Sequence, residues 1–280
     1  MSILIHVSES PVTSAPDDAL PAPSTPAAPR VAADTPAQDV AEPAPSAPPE
    51  ESAPARVIAD ADESNARPAP DIIHARNFGM ASHDPAFAGL DITLPAGQFA
   101  AVVGHAGAGK STLLLALTAR MRPVTGELRI GGVDARKHPG QVRRMTSVAR
   151  VLGLIEPEPS LTLEDCLTER TLFDGARARS RMALYLHAAR LLGLKAPVTT
   201  FFGDLPPLDQ TRAALALACV RPATIVALDD LDDDATLEDQ RALWAGIAAL
   251  TADGQPVIAS TTERTVIPDD ALIIDLEPEA

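Results

Sequence analysis

Residues 104–111 read Gly104-His105-Ala106-Gly107-Ala108-Gly109-Lys110-Ser111. The stretch matches G-x-x-x-x-G-K-S/T, a pattern that cradles phosphate when a strand precedes it and a helix follows. Both neighbours are predicted here. Gln98–Val103 is a short apolar run bounded by Gly97 and Gly104, as expected of a buried strand. Lys110–Arg120 is rich in Leu and Ala and reads as a helix. The glycines let the backbone curl until its N–H groups point inward, and the helix N-terminus adds its positive end. The pattern assigns Lys110 to the outer phosphates and Ser111 to a Mg²⁺ ion, with Gly104, His105, Ala106, Gly107, Ala108, Gly109 and Thr112 completing the loop. Lysine occurs only at 110, 137 and 195. A chance match is therefore expected on the order of once in a thousand chains of this composition.

A phosphate loop needs a carboxylate to hold its metal. Thr224–Leu228 is an apolar strand that ends in Asp229-Asp230, which makes Asp229 the candidate metal ligand. Ala271–Asp275 has a similar form, but little chain follows it to complete a site.

The remaining elements alternate. Asp71–Phe78, Phe87–Leu94, Gly126–Ile130, Pro256–Ser260 and Ala271–Leu276 read as strands. Leu161–Leu194 is largely helical with a break near Asp174-Gly175, and Gln210–Val220 and Thr236–Leu250 are helical. This order predicts an α/β fold with a mainly parallel sheet covered on both faces.

Residues 1–70 differ from all of this. They hold 14 of the 27 prolines, 11 acidic residues against three arginines, and no aromatic residue. Such a segment buries too little apolar surface to offset its ordering entropy. It reads as a disordered acidic Pro/Ala-rich arm, with at most a short strand at Ser2–Val7, ahead of one domain over 71–280. A tether is favoured over a docking arm.

Composition excludes several classes. There is no run of about 20 apolar residues that would span a bilayer. The formal charge of −15 gives no general attraction to nucleic acid or anionic lipid. Cys166 and Cys219 lack metal or redox spacing and fit a reducing, cytoplasmic compartment. The run Asp229-Asp230, Asp232-Asp233-Asp234, Glu238-Asp239 reads as helix-start acids rather than a second metal site. Arg177, Arg179, Arg181 and Arg190 read as a solvated helix face.

Over about residues 71–276 the chain resembles the ATP-binding subunits of ABC transporters. Gly89–Gln98 is similar to the family's lead-in strand and turn, and Gly104–Thr112 follows at the usual distance. Gly126-Glu127-Leu128-Arg129-Ile130-Gly131-Gly132, Leu161–Leu167 and Leu191-Leu192-Gly193-Leu194 resemble later family segments in the same order. The resemblance implies a P-loop NTPase fold of the ABC type, with antiparallel lead-in strands and a helical subdomain over about 155–210. It also implies Mg²⁺ and ATP as ligands, a dimer of ATP-binding domains (homo- or heteromeric), and a membrane-embedded permease partner.

Four positions depart from the family pattern. The phosphate-gripping signature aligns with Leu205-Pro206-Pro207-Leu208-Asp209, which lacks its serine and glycines. The catalytic glutamate aligns with Asp230, shorter by one methylene, and Lys110 completes the catalytic pair. The metal-sensing glutamine aligns near Arg150, a fixed cation expected beside the metal, and the switch histidine aligns with Thr262. The adenine-stacking aromatic falls near Ser82 or His83, with Phe78 assigned to the core. These departures imply slow or asymmetric hydrolysis. The alternatives are a non-catalytic ATP-binding regulatory module and a different phosphate-loop enzyme such as a small-molecule kinase.

Overall fold

Val102 and Val103 are neighbours in the chain, yet they belong to two different hydrophobic cores. A strand covered on both faces requires this, because successive side chains leave it on opposite sides. The computed structural model describes residues 71–174 and 180–276, without the side chains of 173 and 174. In chain order its strands are β1 (Asp71–Met80), β2 (Leu90–Pro95), β3 (Ala100–Val103), β4 (Val124–Ile130), β5 (Val133–Asp134), β6 (Thr146–Arg150), β7 (Ile225–Leu228), β8 (Val257–Thr261) and β9 (Leu272–Asp275). The helices are α1 (Lys110–Leu117), α2 (Pro139–Met145), α3 (Leu163–Asp174), α4 (Arg181–Leu191), α5 (Pro207–Ala218) and α6 (Leu237–Ala252). The arm and the strand read in residues 1–70 lie outside the described residues, as do Arg177 and Arg179.

The strands form two sheets. The first is antiparallel, in the order β2-β1-β4-β5, and is the predicted lead-in extended by two strands. The second is parallel, in the order β6-β7-β8-β3-β9. Ala100, Val102, Ile225, Ala227 and Ile258 face a core shared with α1 and the antiparallel sheet. Ala101, Val103, Val226, Leu228, Val257 and Ala259 face a core shared with α3, α4, α5 and α6. Burial on both faces makes these strands continuously apolar rather than alternating.

The topology positions the site. β3 and β7 are not adjacent, because β8 lies between them. Their C-terminal ends open on the same sheet edge, with the C-terminus of β8 in the gap, which is where ligands of open parallel sheets sit.

Several elements differ from the sequence reading. α1 stops at Leu117 rather than Arg120. Thr118 Oγ1 bonds back to the Leu114 carbonyl at 2.9 Å, and Ala119 turns left-handed at φ 57°. α5 starts at Pro207, three residues earlier than predicted, because proline fits the first helical position, where no N–H is needed. β5, α2 and β6 went unpredicted. β6 is fully buried but reads Thr-Ser-Val-Ala-Arg, so its polar residues masked it. α6 begins as predicted, with Thr236 and Asp239 forming a reciprocal capping box.

Trp244 on α6 is the largest fully buried side chain and lies against Phe99 with ring centroids 6.1 Å apart. Trp244→Ala should cost about 3–5 kcal/mol, through lost packing and an unfilled cavity. Denaturant titration of the purified chain checks this, and a loss below about 1 kcal/mol would contradict the packing described.

Candidate functional site

Backbone conformation sets the loop after β3. Gly107 and Gly109 have φ of 88° and 94°, the left-handed region that side chains disfavour. At Gly109 space is short as well: a Cβ there would lie 2.5 Å from the Ala86 carbonyl oxygen. Gly109 caps α1, whose first residue is Lys110. Lys110 is 5% exposed, and its Nζ donates to the carbonyls of Gly104 and His105, both at 3.1 Å. A buried ammonium needs such partners. These two hold the side chain folded back over the loop, so the charge faces the loop's own centre. Gly104 is buried, Ala108 is half-buried, and His105 is exposed with its Nδ1 donating to the Ala106 carbonyl at 2.7 Å.

Asp229 and Asp230 follow β7 but take different roles. Asp229 is 1% exposed, and Ser260 of β8 donates its hydroxyl to Asp229 Oδ1 at 2.5 Å. The same Ser260 oxygen accepts the Asp230 N–H at 2.8 Å. One hydroxyl from the intervening strand thus ties together both acids that follow the neighbouring strand. Asp230 has φ 44°, an uncommon conformation for a residue with a side chain. Its carboxylate lies 3.9 Å from Lys110 Nζ.

Arg150, expected beside the metal, stands behind this turn instead. It is 5% exposed, its backbone carbonyl accepts the Asp229 N–H at 3.0 Å, and its Nη2 donates to the Asp230 carbonyl at 3.0 Å. The same nitrogen lies 4.0 Å from Asp233. The guanidinium therefore braces the turn rather than the cleft. Thr262 is engaged from its exposed side, where its N–H and hydroxyl both donate to Asp232.

These parts enclose a cleft of about 460 Å³. Gly107, Gly109, Lys110, Ser111 and Thr112 form one wall, Asp230, Asp232, Asp233 and Thr262 form the other, and Ala86 and Ala106 complete the rim. The structure therefore brings the loop, Lys110, Ser111 and Asp230 together. It does not put Asp229 on the cleft wall, and Gly104 lies buried beneath it. Three carboxylates face one ammonium. Burial, then the Asp229 charge, push the Asp230 carboxyl above its ordinary range; Lys110 opposes this, and Asp232 and Asp233 add to it.

The residues suit a polyphosphate with a divalent cation. The loop supplies two left-handed glycines and a buried ammonium, and Ser111 and the acids supply hard oxygen donors beside it. Among the described residues no group of three or more His, Cys, Asp or Glu would hold a metal by itself, so a cation here would share its shell with the ligand. Arg150, Ser260 and Ala86 acquire their roles only in the structure. The one sequence signal was Ser260, a polar residue ending the apolar run Val257-Ile258-Ala259.

The segment Leu205–Asp209 does not reach this cleft. α5 begins Pro206-Pro207 with no side-chain cap, so two N–H donors are missing at its start. Asp209, in its first turn, pairs with Arg212 at 2.9 Å.

The ABC transporter family model matches residues 87–232. A putative ABC transporter ATP-binding protein of Pyrococcus furiosus is 25% identical over 180 residues, covering 62% of this chain and 64% of that protein. A methionine import ATP-binding protein of Mesorhizobium japonicum is 29% identical over 239 residues, covering 78% of this chain and 64% of that protein. The matched region thus spans just under two thirds of the length of each. The solved structure of a putative ABC transporter ATP-binding protein from Pyrococcus furiosus superposes with a TM-score of 0.61 at 20% identity, over 73% of this chain and 97% of that one.

Two outcomes follow from the geometry. Ser260→Ala leaves the buried Asp229 carboxylate and the Asp230 N–H without their shared partner, and should cost about 1–3 kcal/mol in a denaturant titration. Asp230→Asn removes a carboxylate whose charged form the fold disfavours. Because folding raises this pKa, the folded state gains from protonation as pH falls. Asp230→Asn should therefore raise the melting temperature near pH 7, and its advantage should shrink as pH falls through the raised pKa. An advantage that grew on acidification would contradict the sign.

Proposed function

The chain belongs to the ABC transporter ATP-binding family, and from that premise we propose that it is the ATP-binding subunit of a transporter complex. It binds Mg-ATP through Gly104–Thr112, and it works at the cytoplasmic face of a membrane-embedded permease, in a dimer of ATP-binding domains. Lys110 carries this reading: a buried ammonium at the mouth of a loop with two left-handed glycines. Lys110 holds the outer phosphates. Ser111 would ligate Mg²⁺, and Asp229, beneath the cleft wall, would be the metal-holding carboxylate of the notch between β7 and the loop. When bound, Mg²⁺ neutralises phosphate charge opposite Asp230, Asp232 and Asp233. Among the described residues no helix is long and apolar enough to cross a membrane.

Hydrolysis is slow or asymmetric in this proposal. Asp230 is the acid nearest the loop, but it pairs with Lys110 and is a methylene short. Its reach to an attacking water is wrong by about 1 Å, a displacement that costs on the order of a hundredfold. Thr262 is turned toward Asp232, and it lacks a basic ring to contact phosphate. The start of α5, with its two prolines and Asp209, favours a second reading in which the chain binds ATP to set a conformation of the complex without turning it over.

Purified chain should bind ATP in the presence of Mg²⁺, and Lys110→Ala should weaken binding at least tenfold. Turnover of the isolated chain should fall below about 0.1 s⁻¹, under the usual range for enzymes. Binding unchanged in Lys110→Ala would remove the phosphate-loop assignment. Brisk turnover indifferent to Asp230→Asn would remove the account of Asp230.

A further inference from the structure

Charge is spread unevenly over this chain. Residues 120–144 hold seven of its 23 basic residues and two of its 38 acidic ones. The fold gathers most of these bases onto one face. Arg129 on β4, with Arg136 and Lys137 after β5, lines a cleft of about 500 Å³. α2 follows at Pro139 and packs on β5 and β6. Its Arg143 and Arg144 converge: a Cβ on Gly140 would lie 3.9 Å from an Nη of the first and 3.7 Å from an Nη of the second. Half-buried Arg221 joins them from the segment between α5 and β7, donating to the carbonyls of Arg144 and Thr146. The other five side chains are exposed.

Backbone carbonyls, rather than carboxylates, hold these guanidiniums. Arg136 donates to the Gly126 carbonyl at 2.9 Å and Arg143 to the Ala119 carbonyl at 3.2 Å. A carbonyl orients a guanidinium and leaves its charge in place. The end of α1 beside Ala119 offers only about half an elementary charge in return. The two acids of the segment are already matched. Asp134 pairs with Lys137 at 3.5 Å and accepts the N–H groups of Arg136 and Lys137 at 3.0 and 3.1 Å. Glu127 stands opposite Arg76 in the register of β4 with β1. The face therefore presents oriented cations in excess, on a chain whose formal charge is −15.

This face lies away from the nucleotide cleft. Thr146 opens β6 and pairs with Ile225, which opens β7, so Arg221 and α2 stand at N-terminal strand ends. The cleft lies at the C-terminal ends. Width then decides among anionic ligands. A bilayer or a duplex extends past the face and sets its phosphates against the acidic remainder of the surface. An extended acidic polypeptide confines its charge to the face, and its carboxylates match the fork of N–H donors on arginine.

We propose that this face docks an acidic polypeptide segment of a partner protein, seated on Arg129, Arg136 and Lys137 and running over α2 to Arg143 and Arg144. The proposal goes beyond ATP binding and does not depend on it.

Fluorescence anisotropy of a labelled peptide of alternating Glu and Ser, titrated with the full chain, tests this. Binding at about 50 mM salt should weaken about tenfold at about 300 mM. Arg143→Glu combined with Arg144→Glu should weaken it about tenfold, as should Arg129→Glu combined with Lys137→Glu. Folding of each is checked by its circular dichroism melt. Arg181→Glu combined with Arg190→Glu makes the same change of net charge on α4 and should leave binding within about twofold. Saturating Mg-ATP should leave it unchanged. Peptide binding that survives in both folded variants of the face would overturn the proposal, and so would an equal loss in the α4 variant. No binding to the unaltered chain at about 50 mM salt has the same consequence. Tighter binding of a single-stranded oligonucleotide of equal charge, or of phosphatidylglycerol vesicles, would overturn the polypeptide assignment. Competition by Mg-ATP would overturn the location, whatever the fate of the phosphate-loop assignment.

Discussion

A single hydroxyl ties together the two acids on one side of the site. β8 separates the strand that leads into the phosphate loop from the strand that ends in Asp229, and Ser260 at its C-terminal end fills the gap. Its oxygen donates to the Asp229 carboxylate and accepts the Asp230 N–H. Burial makes this exchange consequential: Asp229 and Ser260 are essentially inaccessible, so neither has water as an alternative partner. With Asp230 fixed in this way, and its carbonyl held by Arg150, the acid points across the cleft at Lys110.

The electrostatics then follow from counting neighbours. Three acids on one wall oppose one ammonium on the other. Left alone, these acids repel each other, and Asp230 is the one whose protonation the fold favours. A polyphosphate entering this cleft meets that repulsion unless a divalent cation comes with it. The charge of Lys110 is shared among two loop carbonyls and the Asp230 carboxylate.

The sequence made the loop and the carboxylate pair legible because each is continuous. Gly104–Ser111 and Thr224–Asp230 carry their chemistry within a few residues of one another. The two-faced sheet was legible for the same reason, since β3, β7 and β8 are uninterrupted apolar runs. β6 was not legible, because its buried polar residues bond to groups distant in the chain: Ser147 to the Ala218 carbonyl, and Arg150, through Nη2, to the Asp230 carbonyl. Ser260 and Ala86 were missed on similar grounds. Their roles arise between strands far apart in the chain, and no local pattern announces them. The two prolines at 206–207 were tied to a helix start only by the resemblance; the residue pattern alone began the helix at Gln210, three residues late.

The most direct measurement is a structure of the full chain solved with Mg²⁺ and a non-hydrolysable ATP analogue. The account predicts phosphate oxygens within hydrogen-bonding distance of Lys110 Nζ and of the loop N–H groups. It also predicts an Asp230 carboxylate displaced from its 3.9 Å contact with Lys110, while Ser260 still bridges Asp229 and Asp230. An empty loop at saturating analogue, with the Lys110–Asp230 pair intact, would contradict it.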